Sequence, residues 1–251
     1  MLNREDRGPV TVVTMAHGKA NTMDLEFCEA VAQLFEDLER TDAGAVVLTG
    51  QGTIFSAGVD LLRVVNEGAP YVERFLPALG RALTSLFDCR LPVVAAVNGH
   101  AIAGGCLLAE ACDHRIMAEG EGRIGVPELQ VGVPFPLVAV EILKFATARR
   151  HLQELLLLGK TYTAIEALGR GLIDTLVPPA ETLERAVAVA GRLAAVPRRA
   201  FALTKRTLRL PVLERCARHA PQVDHDVLSA WTSTECLGAV QAYVDRTLKK
   251  R

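Results

Sequence analysis

Pro92-Val93-Val94-Ala95-Ala96-Val97-Asn98-Gly99-His100-Ala101-Ile102-Ala103-Gly104-Gly105-Cys106-Leu107-Leu108-Ala109 is the stretch on which the fold turns. Its first six residues are an apolar run bounded by Pro and by Asn-Gly, the pattern of a short buried strand. Asn98 to Gly105 reads as a tight glycine loop, and Gly104 to Cys112 as a short apolar helix. The unit is therefore strand, glycine loop, helix, and its parts recur along the chain. Val10–Met15 is strand-like and is followed by the loop Lys19-Ala20-Asn21-Thr22. Thr22 or Asp24 can cap the next helix, whose Cys28, Val31, Phe35 and Leu38 share one face. Ala45–Thr49 is a second buried strand, leading through the glycine-rich Gly50–Gly58 to Asp60. Helices are expected at Tyr71–Asp88, Phe135–Phe145 and Glu181–Ala195, and strands at His114–Ala118 and Leu172–Val177. Such alternation predicts an α/β fold with parallel pairing. Past Pro197 strand signals cease, and Leu237, Val240, Val244 and Leu248 form an apolar helical stripe. The chain divides into a core, residues 1–196, and a helical region, residues 197–251. That stripe must dock on the body or on another subunit.

Composition narrows the function. The 251 residues suffice for one large domain, and 50% hydrophobic against 23% charged residues excludes a disordered chain. With 28 basic and 29 acidic side chains the net charge is −1, which argues against a nucleic-acid partner. No apolar run reaches the length of a membrane span and Met1 to Gly8 is charged, so a cytoplasmic protein with no membrane partner is expected. The six cysteines form no CxxC pair; they read as reduced core residues, and no metal site is expected.

Chemistry concentrates in two glycine loops that follow buried strands. One is Ile54-Phe55-Ser56-Ala57-Gly58-Val59-Asp60-Leu61, the other Val97 to Cys106. Glycine lets backbone approach a ligand closely, and amides at a helix start are unpaired. Two such amides can hold one developing oxyanion. Neither loop is a P-loop, and G-x-G-x-x-G is absent, so nucleotide-phosphate and Rossmann readings are poor.

FSAGVDL, AAVNGHAIAGGC, ACDHRI and GVPELQVGV, in this order, resemble the enoyl-CoA hydratase/isomerase (crotonase) family, and the resemblance runs from about Val10 to the C-terminus. It implies a spiral of ββα turns with a helical C-terminal trimerisation region, hence a homotrimer or dimer of trimers. It also implies acyl-CoA thioester substrates, coenzyme A being part of the substrate and no cofactor being needed. The family's two oxyanion amides fall on Val59 and Gly104. Lys19, Ala20 and Asn21 match its CoA-contacting loop, Lys19 being a candidate for a phosphate. Ala57, Gly58, Asp60, Leu61, Gly105, Leu107, Pro127 and Val131 complete the implied substrate-binding set.

One departure is informative. Hydratases of the family carry two glutamates; here one position is Glu128, after Pro127, and the other is Leu107. Hydration needs one group to activate water and another to manage the α-carbon proton. Moving a double bond needs one base that takes a proton from one carbon and returns it to another. An apolar Leu107 would also keep water from a dienolate. AGGCL, PELQVGV, Pro134-Phe135-Pro136 and the tail WTSTECLGAVQAYVDRTLKK resemble the mitochondrial type of Δ3,Δ2-enoyl-CoA isomerase more than the hydratases. The further Asp of the dienoyl-CoA isomerases is Pro136 here. The expectation is an isomerase with Glu128 as catalytic base; a hydratase or other crotonase-type reaction is the alternative, and a non-catalytic acyl-CoA binder a third. Secondary expectations are a salt bridge from Glu110 to Arg115, structural roles for Asp113, His100 and Asp60, and either an acyl-pocket or a surface position for Glu141.

Overall fold

The computed structural model describes residues 1–247. Leu248, last of the apolar stripe, and the charged Lys249–Arg251 end lie outside the described residues.

Two strands open the chain, β1 (Leu2–Arg7) and β2 (Val10–Met15), antiparallel over six residue pairs. β1 reads LNREDR and gives no strand signal in sequence. It forms because it is an edge: its side chains stay largely exposed while its backbone pairs with β2, and charge on an edge discourages further pairing. β3 (Thr22–Met23) then leads to α1 (Leu25–Leu38), capped by Asp24, whose carboxylate accepts from Phe27 N–H, and not by Thr22.

Three ββα turns follow. The first is β4 (Ala45–Gly50), β5 (Ile54–Ser56) and the two-residue β6 (Gly58–Val59), then α2 (Leu61–Glu67) and α3 (Ala69–Asp88). The second is β7 (Val93–Val97), β8 (His100–Ile102) and α4 (Gly104–Ala111). The third is β9 (His114–Ala118), β10 (Arg123–Gly125), α5 (Glu128–Val131) and α6 (Leu137–Ala146). β5, β8 and β10 lie inside stretches that the sequence presents as loops. Each is three residues long, too short to show a period.

α7 (Arg149–Leu157), β11 (Thr161–Thr163) and α8 (Ala164–Arg170) carry the chain to β12 (Thr175–Val177), α9 (Thr182–Ala194), α10 (Arg198–Trp231) and α11 (Thr234–Thr247). The strand expected from Leu172 begins at Thr175, although Leu172 and Ile173 are buried. α7 was hidden by its composition: in RRHLQELLL only Leu155 is buried.

The main sheet has the order β1-β2-β4-β7-β9-β12, and every pair after the first is parallel. Its two faces follow from the period of two. Val10, Val12, Ala45, Val47, Val94 and Ala96 pack with Ala186 and Ala190 of α9; Val13, Met15, Val46, Leu48, Val93 and Ala95 face the larger core of α1, α3 and α4. The small sheet, β11-β10-β8-β5, gathers the second strand of each of the three turns together with β11.

The tail is bound to its own chain. Asp113, just before β9, accepts from Lys205 Nζ at 2.6 Å and from Arg209 Nη2 at 2.7 Å, both on α10, and from the Val93 N–H at 2.8 Å. Val240 and Val244 of α11 are fully buried, with Leu237 packed partly buried on the same core. The described part of the stripe thus packs on the body of its own protomer. Among the described residues, no helix is long and apolar enough to cross a membrane.

Candidate active site

The small sheet brings three segments to one edge. β5, β8 and β10 are neighbours and mutually parallel: Ile54 pairs with His100, Ser56 with Ala101, Ile124 with Ala101 and Gly125 with Ile102. Adjacent strands lie about 4.8 Å apart, so what each carries at its carboxyl end emerges close together. β5 leads through Ala57 to Gly58-Val59, β8 through Ala103 to Gly104, and β10 through Val126-Pro127 to Glu128. The sequence-predicted oxyanion pair and the sequence-predicted base therefore leave three consecutive strands in the same direction.

The two glycine loops touch through backbone. A Cβ on Gly58 (φ +82°) would lie 2.6 Å from Ile102 O and 2.9 Å from Gly104 N; a Cβ on Gly105 would collide with Ser56 O. Side chains at either position would pry the loops apart. Val59 pairs with Met23 in the β3–β6 ladder, and the Asp60 N–H donates to Met23 O at 3.0 Å. Successive N–H groups of a strand alternate in direction, so the Val59 N–H points away from β3. Gly104 is the first residue of α4, where N–H groups have no intrahelical acceptor, and no side chain caps that end. Ala103 before it holds φ +55°, a strained value for a residue with a side chain, and its N–H donates to Gly125 O at 2.8 Å.

Glu128 begins α5, which closes at Gly132 (φ +94°). It is 8% exposed, its Oε2 is buried without a hydrogen-bond partner, and burial pushes its pKa up to about 8, opposed only by a backbone hydrogen bond. No second carboxylate and no cation contributes to that shift. Leu107, in the first turn of α4, is buried and apolar. Cys106 beside it is fully buried, and its thiol is raised well above the usual range by burial and by the charges of Glu110 and Glu128.

The remaining predicted residues divide. Asp60 caps α2, accepting from Leu62 N–H (3.0 Å) and Arg63 N–H (3.1 Å), so it braces the first loop. Ala57 N–H donates to Ala20 O at 3.0 Å, joining that loop to the 19–21 segment. Leu61 is half-buried at the start of α2; Val131 is buried in α5, and Pro127 is half-buried as its N-cap. Lys19 is exposed and has no ion pair among the described residues. Asn21 is different: it is buried at φ +49°, its Nδ2 donates to Ile54 O (3.0 Å) and Phe55 O (3.2 Å), and its Oδ1 accepts from His17 N–H (3.0 Å). Its side chain is engaged in holding β5 and the His17 backbone.

Glu110 is buried with its pKa raised to about 8 by burial, and Arg115 Nη1 stands 4.0 Å from its Oε2. Arg115 is held in turn by Asp174 at 2.8 Å. His100 Nδ1 accepts from the Arg123 N–H at 3.2 Å. Glu141 is buried, and its Oε1 is shared by Lys144 and Arg215, each at 2.8 Å, so it is neither a surface residue nor a free acid.

Sequence reasoning missed what covers the site. α11 packs against α2 and α5, the helices that follow the first oxyanion loop and carry Glu128. Trp231 Nε1 donates to Pro134 O at 2.9 Å, and Cys236 Sγ approaches Gly132 O at 3.0 Å. Tail and base segment are thus joined by hydrogen bonds. Among the described residues no group of three His, Cys, Asp or Glu side chains could hold a metal.

A spiral of ββα turns with two glycine loops in backbone contact and a buried carboxylate on the neighbouring strand's end defines an acyl-transfer or proton-transfer class of site. The enoyl-CoA hydratase/isomerase family profile matches residues 5–249, and the chain belongs to that family. Human mitochondrial enoyl-CoA delta isomerase 1 is 26% identical over 245 residues, covering 96% of this chain and 81% of that protein. A Thermus thermophilus protein bearing an enoyl-CoA hydratase name is 39% identical over 209 residues, 81% of each chain. Among solved structures, human mitochondrial delta3-delta2-enoyl-CoA isomerase superposes with a TM-score of 0.95 over 100% of this chain and 99% of that one, at 27% identity. An enoyl-CoA hydratase from Mycobacterium marinum gives 0.82 over 90% of this chain and 99% of that one, also at 27% identity.

Proposed function

We propose that this enzyme shifts the double bond of a 3-enoyl-CoA to the 2 position. The observation that carries the reading is Glu128: a buried, unpaired carboxylate emerging beside the oxyanion loops, with Leu107 where a second carboxylate would be needed for hydration. The thioester oxygen accepts from the Val59 and Gly104 N–H groups. Glu128 removes a proton from C2; the C2–H electrons form the C1–C2 double bond, and the negative charge settles on the oxygen between the two amides. Glu128 then returns the proton to C4, the electrons fall back through the chain, and the bond lies between C2 and C3. Base and enzyme end as they began. The carboxylate form does the work, and desolvation strengthens it as a base. Lys19 meets a phosphate of the CoA moiety. Greater overlap with the delta3-delta2 isomerase structure than with the M. marinum hydratase supports this reading; the T. thermophilus similarity favours hydration as the second.

Both reactions are assayed on one preparation: double-bond migration in a 3-enoyl-CoA and water addition to crotonyl-CoA. The expected result is migration faster than hydration by at least about a hundredfold, the scale of one general acid–base contribution. Hydration equal to or faster than migration contradicts the isomerase reading. We further propose a homotrimer or dimer of trimers, with the exposed Leu203, Leu208 and Leu210 of α10 in the subunit contacts. Sedimentation as a stable monomer at micromolar concentration contradicts that assembly.

A further inference from the structure

We infer that Met23 is a positioning residue that sets the distance between the two oxyanion amides; the inference rests on the acyl-thioester reading of this site.

The amides belong to segments 45 residues apart in sequence, one in a two-residue strand and one at a helix start. The two-residue strand is too short to fix its own place, and the first turn of α4 has no side-chain cap. Met23 touches both. Through its backbone it is the ladder partner of Val59, and its carbonyl accepts from the Asp60 N–H at 3.0 Å, so it fixes the phase in which the Val59 N–H points outward. Through its side chain it abuts Gly104: a Cβ placed on Gly104 would lie 2.5 Å from Met23 Sδ and 3.7 Å from its Cε. The thioether thus occupies the space that a side chain on the second donor would have taken. Met23 is fully buried, so it has no surface role.

Its own position is also held by the residues on either side of it. Asn21, two residues before it, is tied to β5 by two hydrogen bonds, and the Ser56 hydroxyl donates to Asn21 O at 2.7 Å. Asp24, the residue after it, caps α1. Met23 therefore stands on a fixed post and reaches to one donor with its backbone and to the other with its side chain. Gly104 is the donor that depends on the side chain. Cutting back that chain leaves the α4 start free to shift toward Met23, and a displacement of about 1 Å at a reacting centre can cost about a hundredfold in rate.

The test uses the full-length enzyme and two readouts that a purely structural role would not move together. One is the carbonyl stretching frequency of a bound saturated acyl-CoA, which falls when the thioester oxygen accepts two hydrogen bonds. The other is the division of the effect between kcat and KM for 3-enoyl-CoA isomerisation. In Met23→Ala the frequency shift is expected to shrink by about half and kcat to fall about tenfold to a hundredfold, with KM changed less than about threefold. Met23→Leu, which keeps the volume and most of the reach, recovers most of both. Should Met23→Ala fail to fold, Met23→Val stays apolar but cannot extend to Gly104, and it is expected to show the same two losses. Val47→Ala, a core truncation on the far face of the main sheet, leaves the carbonyl band unmoved and so separates positioning from stability. A wild-type carbonyl shift retained in full by Met23→Ala and Met23→Val, with kcat within about twofold, overturns the assignment. A wild type that binds no acyl-CoA, or binds it with no carbonyl shift, overturns the acyl-thioester reading itself and the assignment with it.

Discussion

Asp113 and Glu128 are carboxylates at opposite ends of the same architecture, and the protein treats them in opposite ways. Asp113 stands at the start of β9 and has everything a carboxylate can ask for: Lys205, Arg209 and the Val93 N–H all donate to it. Glu128 stands beyond the end of β10 with one oxygen buried and unpartnered, and its pKa is pushed up to about 8. The first fastens α10 to the spiral. The second gains nothing for the fold; leaving an acid dry and unpaired costs stability. A buried carboxylate with a raised pKa near the glycine loops is what the proposed reaction asks of its base. Glu110 resembles Glu128 in that burial raises it to about 8 and neither of its oxygens has a hydrogen-bond partner, but Arg115 Nη1 stands 4.0 Å from it.

The comparison is broken most severely at Glu128. Glu128→Gln keeps the shape and removes the base, so isomerisation is expected to fall by about a thousandfold or more, while binding of a saturated acyl-CoA, followed calorimetrically, changes less than about threefold. At the other pole, Asp113→Asn leaves two buried cations sharing no anion. A loss of about 3–5 kcal/mol of stability is expected in chemical denaturation, and a variant as stable as wild type would mean that the clasp is ornamental.

The folded-state pKa of Glu128 lies above its ordinary value of 4.5, so the folded protein holds a proton there that the unfolded chain releases between pH 4.5 and about 8. Stability from this group is therefore present at low pH and is lost as pH rises through that window. Glu128→Gln, inert to pH, is expected to be more stable than wild type above pH 8 by on the order of a few kcal/mol, with the gap closing toward pH 5. Thermal unfolding of both proteins at several pH values checks the sign. Smallest of all should be Glu110→Gln. Its acid answers to Arg115 rather than to Glu128, and turnover is expected to stay within about threefold of wild type; an abolished turnover would move the base assignment to Glu110.

How much of this was legible beforehand follows from what each feature depends on. The glycine loops could be read because close backbone approach restricts which residues fit and leaves a local pattern, whereas Glu128 was legible only through the resemblance of GVPELQVGV to the family's motif. β1 could not, because an edge strand owes its existence to the backbone of β2 and not to its own LNREDR side chains. The structural work of Asn21 was invisible, because only the positions of Ile54 and Phe55 reveal what its amide holds. Glu141 sits in a helix whose pattern places it ambiguously, and Arg215, which pairs with it, is 74 residues away. Met23 carries no signal at all, since its role arises from contact with a glycine that has no side chain to pattern. Burial of Val240 and Val244 against their own body likewise depends on where α11 comes to rest.

The account depends most on Glu128 being the group whose ionisation limits turnover, and the pH dependence of kcat/KM for 3-enoyl-CoA isomerisation reports that ionisation in the free enzyme. The structure predicts a single ascending limb with its bend near pH 8, falling about tenfold per pH unit below it, unchanged in Glu110→Gln. A profile flat from pH 6 to 9, or a limb that disappears in Glu110→Gln, would contradict the assignment of the bare glutamate as the working base.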